Sequence, residues 1–199
     1  MSYIDTNGAQ PAAAHITERP IRGLEDIPVY ASDLTLLRGI VTAAHPGIAS
    51  IHRDADGWRT GEETTRGEKK NFFTRGGRRG LVWSPITAAT RRLVIAPGPL
   101  PMVCIAALER ETAVAAVTAY ATPGGVWTEA AAEAAERRIA EIRIPLVIVA
   151  CTGLLAKRIM ADLPERVANL NTDVVHVEPP PDGWVAELRR RRAGHPVRI

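Results

Sequence analysis

Two hydrophobic rhythms divide this chain. From residue 91 onward, short apolar runs alternate with longer segments whose apolar positions recur at helical spacing. Residues 93–96 (LVIA) predict a strand, 97–101 (PGPLP) a Gly/Pro turn and 102–109 (MVCIAALE) an apolar helix. Residues 114–122 predict the next strand and 123–125 its Pro-Gly-Gly turn. Thr128 can then cap a long helix over 129–142, with Ala134, Ile139 and Ile142 toward a sheet. The run 145–151 is apolar almost throughout, the pattern of a strand covered on both faces. A helix over 154–167, a strand over 172–177, a proline break at 179–181 and a helix over 184–192 complete the series. Strands separated by helices imply a mostly parallel sheet with helices on both faces.

The first half reads differently. Residues 1–27 show no sustained period and predict a loose N-terminal arm, ordered only by whatever it packs on. Ser32 and Asp33 can open a helix carrying Leu34, Leu37, Ile40 and Val41, which His45-Pro46-Gly47 would stop. Residues 48–53 predict a strand, Asp54-Ala55-Asp56-Gly57 a hairpin turn and 58–65 the returning strand. Phe72-Phe73 and Leu81-Val82-Trp83 would extend this into a small, basic antiparallel β meander. The predicted organisation is an arm over 1–27, a helix plus meander over 28–90, an α/β core over 91–192 and a tail over 193–199.

Charge adds a candidate activity. The net charge of the 199 residues is only +3, but it is unevenly placed. Arg66, Lys69, Lys70, Arg75, Arg78, Arg79, Arg91 and Arg92 gather with Glu68 as the one acid among them, and Arg189 to Arg192 form a second run. Such patches suit phosphate backbones or acidic partners. Phe72 and Phe73 lie inside the first cluster. Cations interleaved with aromatics hold single-stranded nucleic acid by neutralising phosphates and stacking bases. The candidate nucleic-acid-binding residues are therefore Lys69, Lys70, Phe72, Arg75, Arg78 and Arg79, joined by His52 and Arg53 on the strand before the hairpin turn.

Other chemistry is poorly provided for. Ligands of a wound α/β sheet bind in the loops at the carboxyl ends of its strands. Here those loops are 97–101 and 150–156, and neither contains a carboxylate, histidine or lysine. No phosphate-cradling glycine motif is present, so Gly98 and Gly124-Gly125 read as tight turns. Ser84, in WSP, lacks the elbow of a nucleophilic serine, and Asp54 and Asp56 belong to an ordinary hairpin turn. Cys104 and Cys151 stand in apolar contexts without a CxxC spacing, as buried thiols of a reduced cytoplasm would, and argue against zinc. The longest apolar run, 144–156, is too short for a bilayer and is broken by Gly153, and the first residues lack the basic-then-apolar order of a leader. The expectation is a cytoplasmic chain with no membrane partner.

The order and spacing of four junctions carry a resemblance: VIAPGPLPMVCIAALE, ATPGGVWTEAAAEAA, VIVACTGLLAKRIMADL and PPDGWVAELRRRR, preceded by SIHRDADGWRTGEE, KNFFTRGGRRGL and RRLVIA. Over roughly residues 28–192 this resembles the toprim domain of bacterial primases and topoisomerases. It is most similar to the branch that accompanies plasmid transfer and replication genes of mobile elements. The resemblance implies a glutamate acting as acid or base after the first strand, and aspartates holding magnesium after the third. In this sequence those positions fall at Pro97, Pro101, Cys151 and Gly153, and the glycine that follows them falls at Ala156. A thiol and two prolines do not replace carboxylates around magnesium.

The expectation is therefore a toprim-like scaffold without catalytic or metal-binding residues and without a cofactor, binding nucleic acid or a replication or transfer partner. One alternative is a magnesium-dependent phosphotransfer enzyme using relocated acids, such as Glu109, Glu111, Asp162 or Glu165. The other is a protein-interaction module without nucleic-acid binding. The sequence leaves the oligomeric state open.

Overall fold

The computed structural model describes residues 19–68 and 70–194. The first sheet is antiparallel, with strands β1 (Val41–Ala44), β2 (Gly47–Arg53), β3 (Arg59–Arg66) and β4 (Lys70–Phe73) in sequential order. Alternation sorts its two faces. Ile48, Ser50 and His52 of β2, with Gly61, Glu63 and Thr65 of β3, are buried, while the residues between them are partly open. The β2–β3 turn forms as its sequence predicts: the Asp54 carboxylate accepts the backbone N–H groups of Asp56 (3.1 Å) and Trp58 (2.9 Å).

The second sheet contains β5 (Val82–Trp83), β6 (Arg92–Ile95), β7 (Thr118–Thr122), β8 (Leu146–Val149) and β9 (Asp173–His176), in the order β5-β7-β6-β8-β9. β5 runs antiparallel to β7, and the other pairs are parallel. Its helices are α1 (Pro99–Glu109), α2 (Glu129–Ile142), α3 (Gly153–Arg166) and α4 (Gly183–Ala193). Alternate strand residues feed two cores. Val94, Tyr120 and Ile148 pack with α1, α4 and the inner face of the first sheet. Leu93, Ile95, Ala119, Ala121, Val147 and Val149 pack with α2 and α3. The four buried alanines of α2 keep its backbone close to that face.

Three sequence expectations change. The helix predicted after Ser32 is a 3-10 turn over Ala31–Leu37, and Val41 opens β1 instead of continuing it. Gly39 at φ +79° ends the helical course, and the β-branched Ile40 and Val41 suit a strand once β2 offers a partner. Val82 and Trp83 leave the meander and pair with β7, because Leu81 has already turned the chain through a bridge to Arg53. Helix α1 begins at Pro99, so Pro99 and Pro101 lie in its first turn, where a missing N–H costs nothing.

Residues 19–27 of the predicted arm are ordered by packing. Ile21, Leu24 and Ile27 are at most 3% exposed and complete the core under α1 and α4. The Gly47 N–H donates to the Arg22 carbonyl at 2.6 Å. Residues 1–18 of that predicted arm, Lys69 and residues 195–199 of the predicted tail lie outside the described residues.

Candidate nucleic-acid interface

The parallel sheet has a switch point between β6 and β8. The chain leaves β6 for α1 on one face and leaves β8 for α3 on the other, which opens a crevice between the two loops. Pro97, Gly98, Cys151 and Thr152 occupy those loops. The Cys151 thiol is buried and points its Sγ at the Ile95 carbonyl, 3.4 Å away. The Trp184 Nε1–H donates to the Ala150 carbonyl (3.2 Å), and His176 Nε2 lies 2.8 Å from the Cys151 carbonyl. Backbone carbonyls of this crevice are thus already engaged by protein groups.

Magnesium requires hard oxygen donors, normally with carboxylates among them. Pro97, Pro101, Cys151 and Gly153 supply no carboxylate, so the residues present do not fit the ion that the resemblance implies. The acids weighed as substitutes are elsewhere. Glu109 holds Arg92 (2.8 Å) and the Tyr120 hydroxyl (2.9 Å) at the amino ends of β6 and β7. Asp162 accepts from Trp127 Nε1 (2.7 Å) and Arg166 (2.7 Å). Glu111 is 88% exposed beside Arg110, and Glu165 is exposed on the α3 surface. Among the described residues, no group of three or more His, Cys, Asp or Glu side chains could hold a metal ion.

Neither thiol is poised as a nucleophile. Burial pushes Cys104 and Cys151 up to about 12, so both remain protonated at about pH 8. Iodoacetamide is expected to label neither in the native protein and both after denaturation, as read by mass. Rapid native labelling of Cys151 would contradict its placement. These raised values leave stability intact below the ordinary thiol value of 9.0 and erode it as pH climbs toward about 12, because the buried thiols resist the ionisation that the unfolded chain allows.

The candidate binding residues divide into two groups. His52 is fully buried, with Nδ1 3.0 Å from the Gly80 carbonyl and Nε2 3.2 Å from the Glu63 carboxylate. It presents nothing to a ligand in solution. Arg79 donates to Glu63 (3.2 Å) and to the Gly124 carbonyl (2.5 Å), and its guanidinium covers the Phe73 ring at 4.5 Å. These residues form a buried junction between the first sheet and the loop after β7. Gly124 is part of it: φ is +66°, and a side-chain carbon there would collide with Glu63, Arg79 and His52 together. Arg53 is half-buried and donates to the Gly57 carbonyl of its own hairpin at 2.8 Å.

Lys70, Phe72, Arg75 and Arg78 remain exposed. Phe72 stands on β4 opposite Thr64, on the outer face of the first sheet, and is 53% exposed. Arg66, which sequence reasoning counted in the cluster without placing it at the site, lays its guanidinium over Phe72 at 5.0 Å. The available signal was the two-residue period of a strand: it sends Phe72 outward and Phe73 inward and brings Arg66, at the β3 end, level with Lys70. The second basic run is partly drawn into the fold. Arg192 pairs with buried Asp33 (2.8 Å) and covers the Tyr30 ring at 4.6 Å, and Arg189 donates to the Asp26 carbonyl and pairs with Glu68.

No protein-family model matches the sequence, and no curated protein matches it. Among solved structures, the primase fragment of the bacteriophage T7 primase-helicase protein is similar, with a TM-score of 0.52 over 89% of this chain and 72% of that one, at 11% identity. That likeness shows a toprim-like fold. No helix among the described residues is long and apolar enough to cross a membrane.

Proposed function

We propose that this chain is a nucleic-acid-binding, toprim-like protein of the mobile-element branch that carries out no metal-dependent phosphotransfer at the β6/β8 crevice. The observation that carries this reading is the exposed group on the outer rim of the first sheet. Lys70 lies beside an open aromatic ring on which Arg66 is stacked, and Arg75 and Arg78 are exposed in the segment that follows β4. Phosphate neutralisation by such cations supplies sequence-independent affinity that weakens as salt rises. The crevice, where a toprim enzyme would hold its ion, has a thiol and prolines in place of oxygen donors. The likeness to a fragment of a primase-helicase protein favours replication or transfer proteins as partners.

Fluorescence anisotropy with labelled single- and double-stranded DNA across a salt series tests the reading. With four phosphates neutralised, affinity for a single strand is expected to fall with a log–log slope of roughly −3. Absence of salt-sensitive binding at micromolar protein would leave the interaction-module alternative. In calorimetry, the native protein is expected to take up no magnesium, and a chelator should leave DNA binding unchanged. Stoichiometric magnesium uptake would restore the relocated-acid enzyme.

A further inference from the structure

Phe72 and Phe73 are adjacent in sequence and opposite in environment. Phe73 meets the His52 ring edge-on at 5.2 Å and lies under Arg79. Phe72 faces a recess of about 600 Å³ between the β3–β4 turn and the segments carrying Gly23 and Pro46. That volume is in the range that holds a small organic ligand. Backbone bonds fix its wall: the Gly67 N–H donates to the Gly23 carbonyl at 3.2 Å, and the Gly47 N–H to the Arg22 carbonyl at 2.6 Å. Glu68 is the acid among the described lining residues, and Arg189 of α4 neutralises it at 2.5 Å. The charges of Arg66 and Lys70 are therefore left to act on whatever enters.

A flat ring with a guanidinium over it, a second cation and a preformed recess complement a flat π system attached to an anion. Resting on the nucleic-acid reading above, we infer that this recess receives one unpaired nucleotide of a single strand. The base stacks on the Phe72–Arg66 pair, and Arg66 and Lys70 hold the adjoining phosphates. Bases in a duplex are already stacked on one another and cannot enter, so the recess selects single strands. Arg75 and Arg78, outside the recess, add affinity that does not discriminate between strand types.

The test compares native protein, Phe72→Ala, Phe72→Trp and Trp58→Ala in anisotropy with a short single-stranded oligonucleotide, the matching duplex and free nucleoside monophosphate. Trp58 is the control, because its ring is 74% exposed at the β2–β3 turn, about 20 Å along β3 from the position opposite Phe72. Phe72→Ala is expected to weaken single-strand binding about tenfold. It should leave duplex binding and the salt slope unchanged, while Phe72→Trp retains affinity and Trp58→Ala changes nothing. Phe72 is half-exposed, so its variants should unfold at the native midpoint, which excludes misfolding as the cause. Native single-strand binding that is indifferent to Phe72 would overturn the recess while leaving the nucleic-acid function standing. Equal affinity for the free monophosphate would reassign the recess to a soluble nucleotide and overturn strand capture. Absence of salt-sensitive binding by the native protein would remove both readings.

Discussion

Asp33→Ala is expected to destabilise this protein by roughly 3–5 kcal/mol. The carboxylate is fully buried and holds two arginines, Arg110 at 3.0 Å from the end of α1 and Arg192 at 2.8 Å from the end of α4. It also accepts the backbone N–H of Tyr30 at 2.8 Å, which closes the start of the 3-10 turn. Removing it takes from both guanidinium groups the buried carboxylate that they share, and leaves the Tyr30 N–H without its acceptor. Removing one partner of a buried ionic group costs more than the group contributes when intact, because the desolvation of what remains is no longer offset. Urea denaturation reads the effect as a lower midpoint at unchanged slope. Asp33→Asn keeps an acceptor for Tyr30 and should fall between the two. A midpoint unchanged by Asp33→Ala would mean that the contact between the N-terminal segment and α4 is not closed in solution.

Glu63→Ala is the second large effect, at about 3 kcal/mol. Glu63 is 1% exposed, and it joins His52, which is fully buried, to Arg79, which retains 27% of its side-chain exposure. Glu63 holds one arginine where Asp33 holds two, so the loss is smaller than at Asp33. Gly124→Ala should approach the same cost by another route. A methyl group would enter the same cluster from the loop after β7, at a φ that L residues avoid. The two substitutions act on one junction, so the double variant should lose less than the sum of the singles. Strict additivity in a double-mutant cycle would show that Gly124 and Glu63 do not share a contact in solution. Both variants should keep the exposed residues around Phe72 in place, so nucleic-acid binding below the melting temperature should be nearly native.

These effects bear on what was readable in the chain. The α/β series from residue 91 onward was legible because apolar runs buried on both faces leave a continuous hydrophobic signature, as in Leu146–Val149. The lack of carboxylates at Pro97, Pro101, Cys151 and Gly153 was legible because it is a matter of residue type alone. The folded course of 19–27 was not. Ile21, Leu24 and Ile27 are buried by contacts with α1 and α4 across the whole chain, and a segment without a regular period carries no local mark of that. The placement of the basic cluster was half legible. Sequence gathered the cations but did not distinguish Arg79, turned inward to Glu63, from Arg75 and Arg78, which stay in solvent.

By itself, the sequence determined the alternation of strands and helices in the second half, the hairpin at Asp54–Gly57 and the lack of a carboxylate at Pro97, Pro101, Cys151 and Gly153. Each of these depends on residue type and near-neighbour spacing. Only the tertiary structure decided that Val82-Trp83 joins the parallel sheet, that His52 and Arg79 brace a junction between the first sheet and the loop after β7, and that Phe72 opens onto a recess while Phe73 does not. The reason is that a charged side chain's role is set by the nearest opposite charge in space. For Arg79 that charge is Glu63, 16 positions away along the chain, and for Glu68 it is Arg189, in the last helix.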